Sequence, residues 1–169
     1  DVLFATSCRH DEPHKTPRPY DKGRDGLVIG EGSACLILEE YEHAVARGAR
    51  IYAELVGYGS NTDGMHVTQP NRDTMAGCMR LSLADANLQP DAIHYINGHG
   101  TATEQGDIAE SQATMEVMGG NIPLSSLKSY FGHTLGACGA IEAMLAIKMM
   151  QTQTFIANLN LEQIDPECA

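Results

Sequence analysis

The sequence predicts an α/β fold in which helices cover a sheet. Its 169 residues are enough for one ordinary domain with a sizeable core. Hydrophobic residues make up 43% and charged residues 20% of the chain, which is typical of a globular protein and not of a disordered one. After residue 75, windows with helical spacing alternate with short apolar runs, and this alternation favours strands packed under helices.

The first third of the chain predicts a loop, three short strands and one helix. Residues 10–26 contain three prolines and two glycines and therefore indicate an irregular loop. Two apolar runs, Leu27–Gly30 and Ala34–Leu38, predict neighbouring strands. A short helix is expected over Glu39–Arg47, because a glycine follows it, and a third strand over Ile51–Tyr58.

The rest of the chain predicts three helices and three extended segments. The helices have apolar residues at helical spacing and end near glycine or proline: Met75–Ala86, Ile108–Met118 and Leu135–Met150. The extended segments are short apolar runs between them: Ile93–Ile96, Ile122–Ser125 and Phe155–Leu161.

The charge of the chain disfavours nucleic acid as a partner. Against 22 acidic residues stand 11 lysines and arginines, giving a formal net charge of −11, and such a surface repels phosphate backbones. Five of the basic residues lie between Arg9 and Arg24. This cluster is compatible with docking of an acidic partner, but a solvated loop is the favoured interpretation.

Cysteine usage predicts a cytoplasmic protein. The five cysteines are odd in number, widely spaced and never in a Cys-x-x-Cys pair. This pattern is typical of buried thiols in a reduced compartment, and not of a disulfide framework or a zinc ribbon. The apolar run Ala143–Ile147 ends at Lys148, so we expect no membrane span.

The ends of two predicted strands carry ionisable side chains. His99 lies in the segment Asn97–Thr103, while Lys128 and His133 lie in the segment Ser126–His133. In open α/β sheets, ligands bind beyond the carboxyl ends of strands, where the loops converge. Glycines beside both histidines would permit either close approach of a substrate or a sharp turn. The alternative that each histidine only satisfies its own turn stays open.

The helix before residue 150 predicts a buried carboxylate. From Ala137 to Met150 it has eleven apolar residues and two charged ones, Glu142 and Lys148. A helix that is apolar on all faces is buried, and Lys148 near its end can extend towards solvent. Glu142 therefore needs a partner, a proton or a cation, with an exposed seam as the alternative.

Asp107 and Glu110 have the spacing of a capping box at the start of a predicted helix, so spacing alone assigns them to capping and not to catalysis. The sequence has no metal-site spacing of histidine, cysteine and carboxylate residues. A glycine-rich phosphate loop and a Gly-x-Ser-x-Gly elbow are absent as well.

Four motifs in order carry a family resemblance: RPYDKGRDGLVIGEG (Arg18 to Gly32), NGHGTAT (Asn97 to Thr103), GD-x-x-E (Gly106 to Glu110) and SSLKSYFGHTLGACGA (Ser125 to Ala140). The chain resembles the β-ketoacyl-acyl-carrier-protein synthases, the condensing enzymes of fatty-acid and polyketide synthesis. The resemblance implies a thiolase-like, layered α-β-α-β-α fold of which this chain is a part. Residues 1–48 would end its N-terminal half, and residues 49–169 would form a truncated C-terminal half.

The resemblance also implies a decarboxylative condensation. In the family, an acyl chain is transferred to a cysteine, a malonyl thioester loses carbon dioxide, and the resulting carbanion attacks the acyl-enzyme. By motif, His99 and His133 match the two histidines of the family and Lys128 the lysine between them. Two imidazole N–H donors in a dry pocket would stabilise the enolate oxygen. Residues expected to support them are Asp107, Glu110, Thr101 and Thr103.

No cofactor is required by this resemblance, but it places Asn97 and Glu142 at a structural site for a monovalent or divalent cation. The expected partners are an acyl carrier protein, acyl and malonyl thioesters, and a second subunit in a homodimer or heterodimer.

Departures from the family pattern leave alternatives open. The chain has no Thr-Ala-Cys-Ser-type turn, because Cys8 and Cys138 stand in other contexts. We therefore expect the nucleophile and the late glycine-rich loop to lie outside this chain, and the isolated chain to be inactive. A degradative thiolase and a chain-length-factor-like partner subunit without catalytic function are the alternatives. The presence of His99, Lys128 and His133 together favours the synthase.

Overall fold

The regular part of the chain consists of helices and one pair of short parallel strands. The structure is a computed structural model and describes residues 4–64, 66 and 68–168. The helices and strands in these residues are α1 (Tyr41–Ala46), α2 (Arg72–Ala86), β1 (Ile96–Asn97), α3 (Glu104–Met118), β2 (Leu124–Ser125), α4 (Lys128–Phe131) and α5 (Cys138–Thr152). This order agrees with the predicted α/β class. The division of the chain at residue 48 stays a prediction.

The predicted helices are found, but capping residues set their ends. α2 begins at Arg72, before its first apolar residue, because the side chain of Asn71 accepts hydrogen bonds from two amides of the first turn. It ends where Asn87 takes up a left-handed conformation with a φ of 53°. Apolar spacing reveals the packed side of a helix, whereas its ends depend on polar residues.

The predicted capping box at Asp107 is wrong. α3 begins at Glu104, one turn earlier, with Thr103 as the flanking residue. Asp107 and Glu110 lie inside this helix and are buried. Apolar spacing misses the first turn because residues 104–106 carry no apolar side chain.

The strands predicted over Ile93–Ile96 and Ile122–Ser125 are found in shortened form. Ile96 of β1 lies opposite Leu124 of β2, and Asn97 lies opposite Ser125, in a parallel pair. Both chains therefore leave the sheet at the same edge.

The other predicted strands are wrong for the described chain. Leu27 and Ile29 make only single bridges, to Thr6 and His133, and no strand is formed over Ala34–Leu38, Ile51–Tyr58 or Phe155–Leu161. Apolar side chains of these segments stay open to solvent, with Ile37 84% and Leu55 76% exposed. A strand needs a neighbour that supplies N–H and C=O groups, and apolar patterning does not reveal whether one is present.

The expectation that α5 is buried on all faces is also wrong. Its α-helical part begins at Cys138, after the single 3₁₀ turn Leu135–Ala137. Glu142 and Met149 are its buried residues, whereas Met144 is among its exposed ones. Only one side of this helix packs against the described chain, although its composition suits burial all round.

The N-terminal basic cluster is partly buried and ion-paired, so the solvated-loop interpretation is wrong for two of its arginines. Arg18 Nε lies 3.0 Å from a carboxylate oxygen of Asp21, and both side chains are buried. Arg24 Nη1 lies 2.5 Å from Asp165, which ties the loop to the C-terminal segment. Its Nε lies 3.7 Å from Asp107 in α3.

All five cysteines are free thiols, but Cys8 and Cys35 are exposed and the other three are half-buried, so the expectation of buried thiols is wrong. None of the helices within residues 4–64 and 68–168 combines the length and apolar character needed to cross a bilayer.

Candidate active site

The loops that leave β1 and β2 bring two histidines together. The ring centroids of His99 and His133 lie 5.0 Å apart, with an angle of 86° between the ring planes. Because the strands are parallel and in register, both loops start at one edge of the sheet, as the strand-end argument predicts. The two imidazoles therefore share one site.

The segment from Val28 to Gly30 holds His133 by its backbone. The amide of His133 donates to the carbonyl of Val28 at 2.7 Å, and the amide of Gly30 donates to the carbonyl of His133 at 3.0 Å. A Cβ atom on Gly30 would lie 2.0 Å from the carbonyl oxygen of Phe131. The sequence predicted a strand here and did not reveal that this segment holds His133. Gly30 is the sequence signal that could have indicated this close approach of two backbones.

The ring of His133 has an assigned proton position. Its Nδ1 accepts a hydrogen bond from the backbone amide of Leu135 at 3.1 Å. A ring nitrogen that accepts an N–H carries no proton, so the neutral ring has its proton on Nε2. The Nε2–H group of His133 is therefore a donor.

The carboxylate of Glu110 binds the backbone of the loop that carries His99. One carboxylate oxygen accepts the amide of His99 at 2.5 Å, and the other accepts the amide of Gly100 at 2.7 Å and the hydroxyl of Tyr20 at 2.9 Å. Tyr20 and Glu110 are buried. The carboxylate that the spacing assigned to capping thus binds a loop amide eleven residues earlier in the chain.

Asp107 supports the same loop one turn earlier in α3. Its two oxygens accept the amides of Ala102 at 3.1 Å and Tyr20 at 2.8 Å. Burial raises the pKa of Asp107 to about 7, although these amides and the guanidinium of Arg24 act in the opposite direction. Asp107 therefore connects α3 to the N-terminal loop as well as to the loop that follows β1.

Thr101 and Thr103 fix the shape of the chain between His99 and α3. Their hydroxyl oxygens lie 2.9 Å apart and share a hydrogen bond. A Cβ atom on Gly106 would lie 2.4 Å from the hydroxyl of Thr103, so this glycine makes room for the pair. The threonines support the loop and do not extend the group of ionisable side chains.

Lys128 and Glu142 form a buried ion pair whose charges act on both imidazoles. Lys128 is 1% exposed, and its Nζ lies 2.5 Å from Oε1 of Glu142. The side-chain nitrogen Nδ2 of Asn97 donates to Oε2 of the same carboxylate at 3.3 Å. The predicted buried, partnered state of Glu142 is therefore confirmed, and its partner is the lysine that sequence reasoning placed in the site.

Ser126 links the two loops, which sequence reasoning did not foresee. Its hydroxyl donates to the carbonyl of Gly100 at 2.8 Å and accepts the amide of Lys128 at 3.3 Å. Its own amide donates to the side chain of Asn158 at 2.7 Å. A small hydroxyl residue just after a strand carries no sequence signal of such a link.

Electrostatics keep both imidazoles neutral near neutral pH. The pKa of His99 is lowered from 6.5 to about 4, first by a loss of hydration that is only partial, because the residue is exposed in the described chain, and then by the positive charge of Lys128. The pKa of His133 is lowered by the same two causes in the same order. Glu142 acts in the opposite direction on both rings. Neutral imidazoles offer N–H donors without bringing further positive charge beside the ammonium group.

The oxygen atoms offered to a cation at this site are few. The side-chain oxygen of Asn97 is buried and has no hydrogen-bond partner, so it is an available donor. Both oxygens of Glu142 already face Lys128 and the amide of Asn97. The described residues contain no cluster of three or more histidine, cysteine, aspartate or glutamate side chains suited to a metal ion.

Comparison with known proteins gives a consistent assignment. The family model described as "Beta-ketoacyl synthase, C-terminal domain" matches residues 52–162. The chain is 44% identical over 172 residues to the 3-oxoacyl-[acyl-carrier-protein] synthase 2 of Coxiella burnetii, covering 99% of this chain and 42% of that protein.

Two solved structures extend the match. A β-ketoacyl synthase from Burkholderia phymatum has 57% identity and a TM-score of 0.94, covering 99% of this chain and 41% of that one. A ketosynthase of a type II polyketide system, solved in complex with its acyl-carrier protein, has 42% identity and a TM-score of 0.91, with 99% and 42% covered. The chain thus spans about two fifths of the length of these relatives.

Replacement of the buried ammonium group should raise the pKa of both imidazoles. In Lys128→Met the nearby positive charge is lost and Glu142 is left without that partner, and both changes favour the imidazolium form. The wild-type His99 ring should gain its proton only as the pH falls towards about 4, and the variant ring at higher pH. NMR titration of histidine rings labelled with ¹³C and ¹⁵N, in the full-length protein, measures this. The exposed Lys148→Met is the matched control, and a lower pKa in Lys128→Met would contradict the electrostatic argument.

The buried ion pair should be costly to break from one side. Glu142→Gln leaves the ammonium of Lys128 buried without a charge partner, so the free energy of unfolding should fall by about 3–5 kcal/mol. The double variant Lys128→Met/Glu142→Gln removes both charges and should recover most of this loss. Glu116→Gln breaks the exposed pairs with Arg80 and Arg72 and should cost about 1 kcal/mol or less. Chemical denaturation of the full-length protein compares them, and equal losses in the two single glutamate variants would refute the assignment.

Proposed function

This chain belongs to the β-ketoacyl synthase family, and we propose that it supplies the malonyl-decarboxylating part of a 3-oxoacyl-acyl-carrier-protein synthase active site. One observation carries the proposal. The imidazoles of His99 and His133 lie 5.0 Å apart, and both are influenced electrostatically by a buried lysine whose charge is balanced by a carboxylate. Donors arranged in this way suit an oxygen that becomes negative during the reaction.

The proposed reaction forms a carbon–carbon bond at the expense of a carboxylate. The bond between the malonyl carboxylate and its α-carbon breaks, and carbon dioxide leaves. The electron pair of that bond stays with the α-carbon, which becomes part of the enolate of the remaining thioester. The α-carbon then attacks the carbonyl carbon of the acyl-enzyme thioester, and the cysteine sulfur leaves as the thiolate. The rate depends on how well the enolate oxygen is stabilised, because this charge is absent in the ground state.

In this proposal the two imidazoles donate to that oxygen. His133 has its proton on Nε2, because Nδ1 accepts the amide of Leu135. His99 is neutral because its pKa is lowered to about 4 and therefore offers one N–H group. Preorganised donors need little reorientation as the charge develops.

Lys128 has an electrostatic role in this proposal. After burial, which is the larger cause, its ammonium group further lowers the pKa of both histidines and so favours their neutral form. Glu142 compensates the buried charge, and Asn97 holds Glu142. For the structural cation, the unpartnered oxygen of Asn97 is the one observation in its favour, so we propose only this atom and Glu142 as ligands.

The substrates and partners follow from the same proposal. We expect acyl and malonyl thioesters carried by an acyl carrier protein, and a nucleophilic cysteine from a segment that is not part of this sequence. The ketosynthase of the type II polyketide system was solved with its acyl-carrier protein, which supports this class of partner. A non-catalytic chain-length-factor-like subunit is disfavoured because it has no chemical need for His99, Lys128 and His133 together.

The larger assembly is also proposed. We expect the complete protein to have a layered α-β-α-β-α fold, to pair with a second subunit and to work in the cytoplasm. The exposed apolar side chains between Leu36 and Tyr58 support the expectation that another part of the assembly covers this face.

Removal of one histidine should separate the two half-reactions. In the full-length protein, His133→Ala should lower decarboxylation of malonyl-acyl-carrier protein at least about 100-fold, because one oxyanion donor is lost. Transfer of the acyl chain to the nucleophilic cysteine should persist. Release of labelled carbon dioxide measures the first reaction, and mass spectrometry of the acylated protein measures the second.

The matched control is His94→Ala, which removes an exposed histidine just before β1 and should leave both half-reactions unchanged. Decarboxylation by His133→Ala at the wild-type rate would refute the proposed function.

A further inference from the structure

Tyr20 is a buried residue to which the proposed mechanism assigns no task. It is 5% exposed, and its hydroxyl donates to Oε2 of Glu110 at 2.9 Å. The same carboxylate binds the amides of His99 and Gly100. The tyrosine hydroxyl therefore lies one hydrogen bond away from the group that fixes the backbone of a candidate catalytic histidine.

The glycines beside His99 make room for this hydroxyl. A Cβ atom on Gly98 would lie 2.2 Å from the hydroxyl oxygen of Tyr20, and one on Gly100 would lie 2.8 Å from it. Gly98 and Gly100 are buried. The expectation that these glycines admit a substrate is therefore wrong on this side of the loop, because Tyr20 occupies the space.

The hydroxyl is suited to act as a permanent donor. Burial and the nearby carboxylates of Glu110 and Asp107 raise the pKa of Tyr20 well above 10, so it stays protonated. The backbone amide of Tyr20 is held separately by Asp107 at 2.8 Å. The backbone of Tyr20 is thus held by Asp107. Within the described residues, the hydroxyl makes its hydrogen bond to Glu110.

We propose that Tyr20 is a positioning residue for His99: its hydroxyl holds the Glu110 carboxylate in the orientation that binds the amides of His99 and Gly100, and so fixes the imidazole of His99. This inference rests on the proposed function for its kinetic consequence, while its structural part is independent of it. Without the hydroxyl, Glu110 keeps two amide donors but loses its third donor, the one that comes from outside the loop it binds.

The first test is Tyr20→Phe in the full-length protein, which keeps the ring and the backbone contact. We expect kcat for decarboxylation of malonyl-acyl-carrier protein to fall about tenfold with KM nearly unchanged, because a hydrogen bond to a charged group is lost. Hydrogen exchange of a peptide spanning residues 96–103 should become faster. The matched control is Tyr95→Phe, which removes a hydroxyl bonded to Ser125 and should change neither quantity.

A double-mutant cycle tests whether Tyr20 acts through Glu110. Glu110→Gln alone should impair decarboxylation, and adding Tyr20→Phe to it should cause little further loss. A full additional tenfold loss in that background would overturn the proposal, as would a Tyr20→Phe variant with wild-type kcat and wild-type exchange.

Gly98→Ala tests the contact from the other side and serves also if Tyr20→Phe fails to fold. Its Cβ should displace the hydroxyl and reproduce the tenfold loss and the faster exchange. Tyr20→Phe/Gly98→Ala removes the closest contact of that Cβ and leaves Cδ1 of Leu124, the movable end of a side chain, at 2.9 Å, so it should be more active than Gly98→Ala alone. A double variant no better than Gly98→Ala would overturn the proposed contact.

The two proposals fail in different ways. If the wild-type protein does not decarboxylate the malonyl thioester, the proposed function is refuted, while the exchange measurements still decide the role of Tyr20. If decarboxylation is normal in wild type and in Tyr20→Phe, only the role of Tyr20 is refuted.

Discussion

The parallel register of β1 and β2 is the constraint on which the site depends. Asn97 lies opposite Ser125, so the loops that begin at these residues run side by side from one edge of the sheet. The hydroxyl of Ser126 then joins the loops by contacting the carbonyl of Gly100 and the amide of Lys128. A shift of one residue would break both contacts and turn alternate side chains to the opposite face. Two short strands thus determine that the imidazoles share one site.

Buried carboxylates do most of the positioning, and each is satisfied by a different kind of donor. Glu110 binds backbone amides and a hydroxyl, whereas Glu142 binds an ammonium group and a side-chain amide. A buried ion pair contributes little net stability on its own, because desolvation offsets the attraction. Its value here is electrostatic, since the lysine disfavours protonation of both histidines while the carboxylate balances the buried charge.

Local patterns in the sequence predicted His99, Lys128, His133 and the buried state of Glu142, because strand ends and burial leave local signals. The resemblance named Asp107 and Glu110 as supporting residues, but their spacing indicated only a helix cap, because their partner Tyr20 lies 87 and 90 residues away. Hydrophobic periodicity within one helix cannot predict a contact between residues so far apart in the sequence. The apolar segments that form no strand show another limit. Their pattern indicates that they tend to be buried, but it does not reveal which part of the protein would bury them.

The two histidines are held by unequal means. The loop of His99 is fixed by side chains of α3 and by Tyr20, which form a network that includes buried groups. His133 is held through its backbone by Val28 and Gly30, and the chain that follows them leads into the exposed apolar residues around Ile37. The position of His99 thus depends on buried side chains of the described residues, whereas that of His133 depends on backbone contacts with a segment that continues into exposed chain.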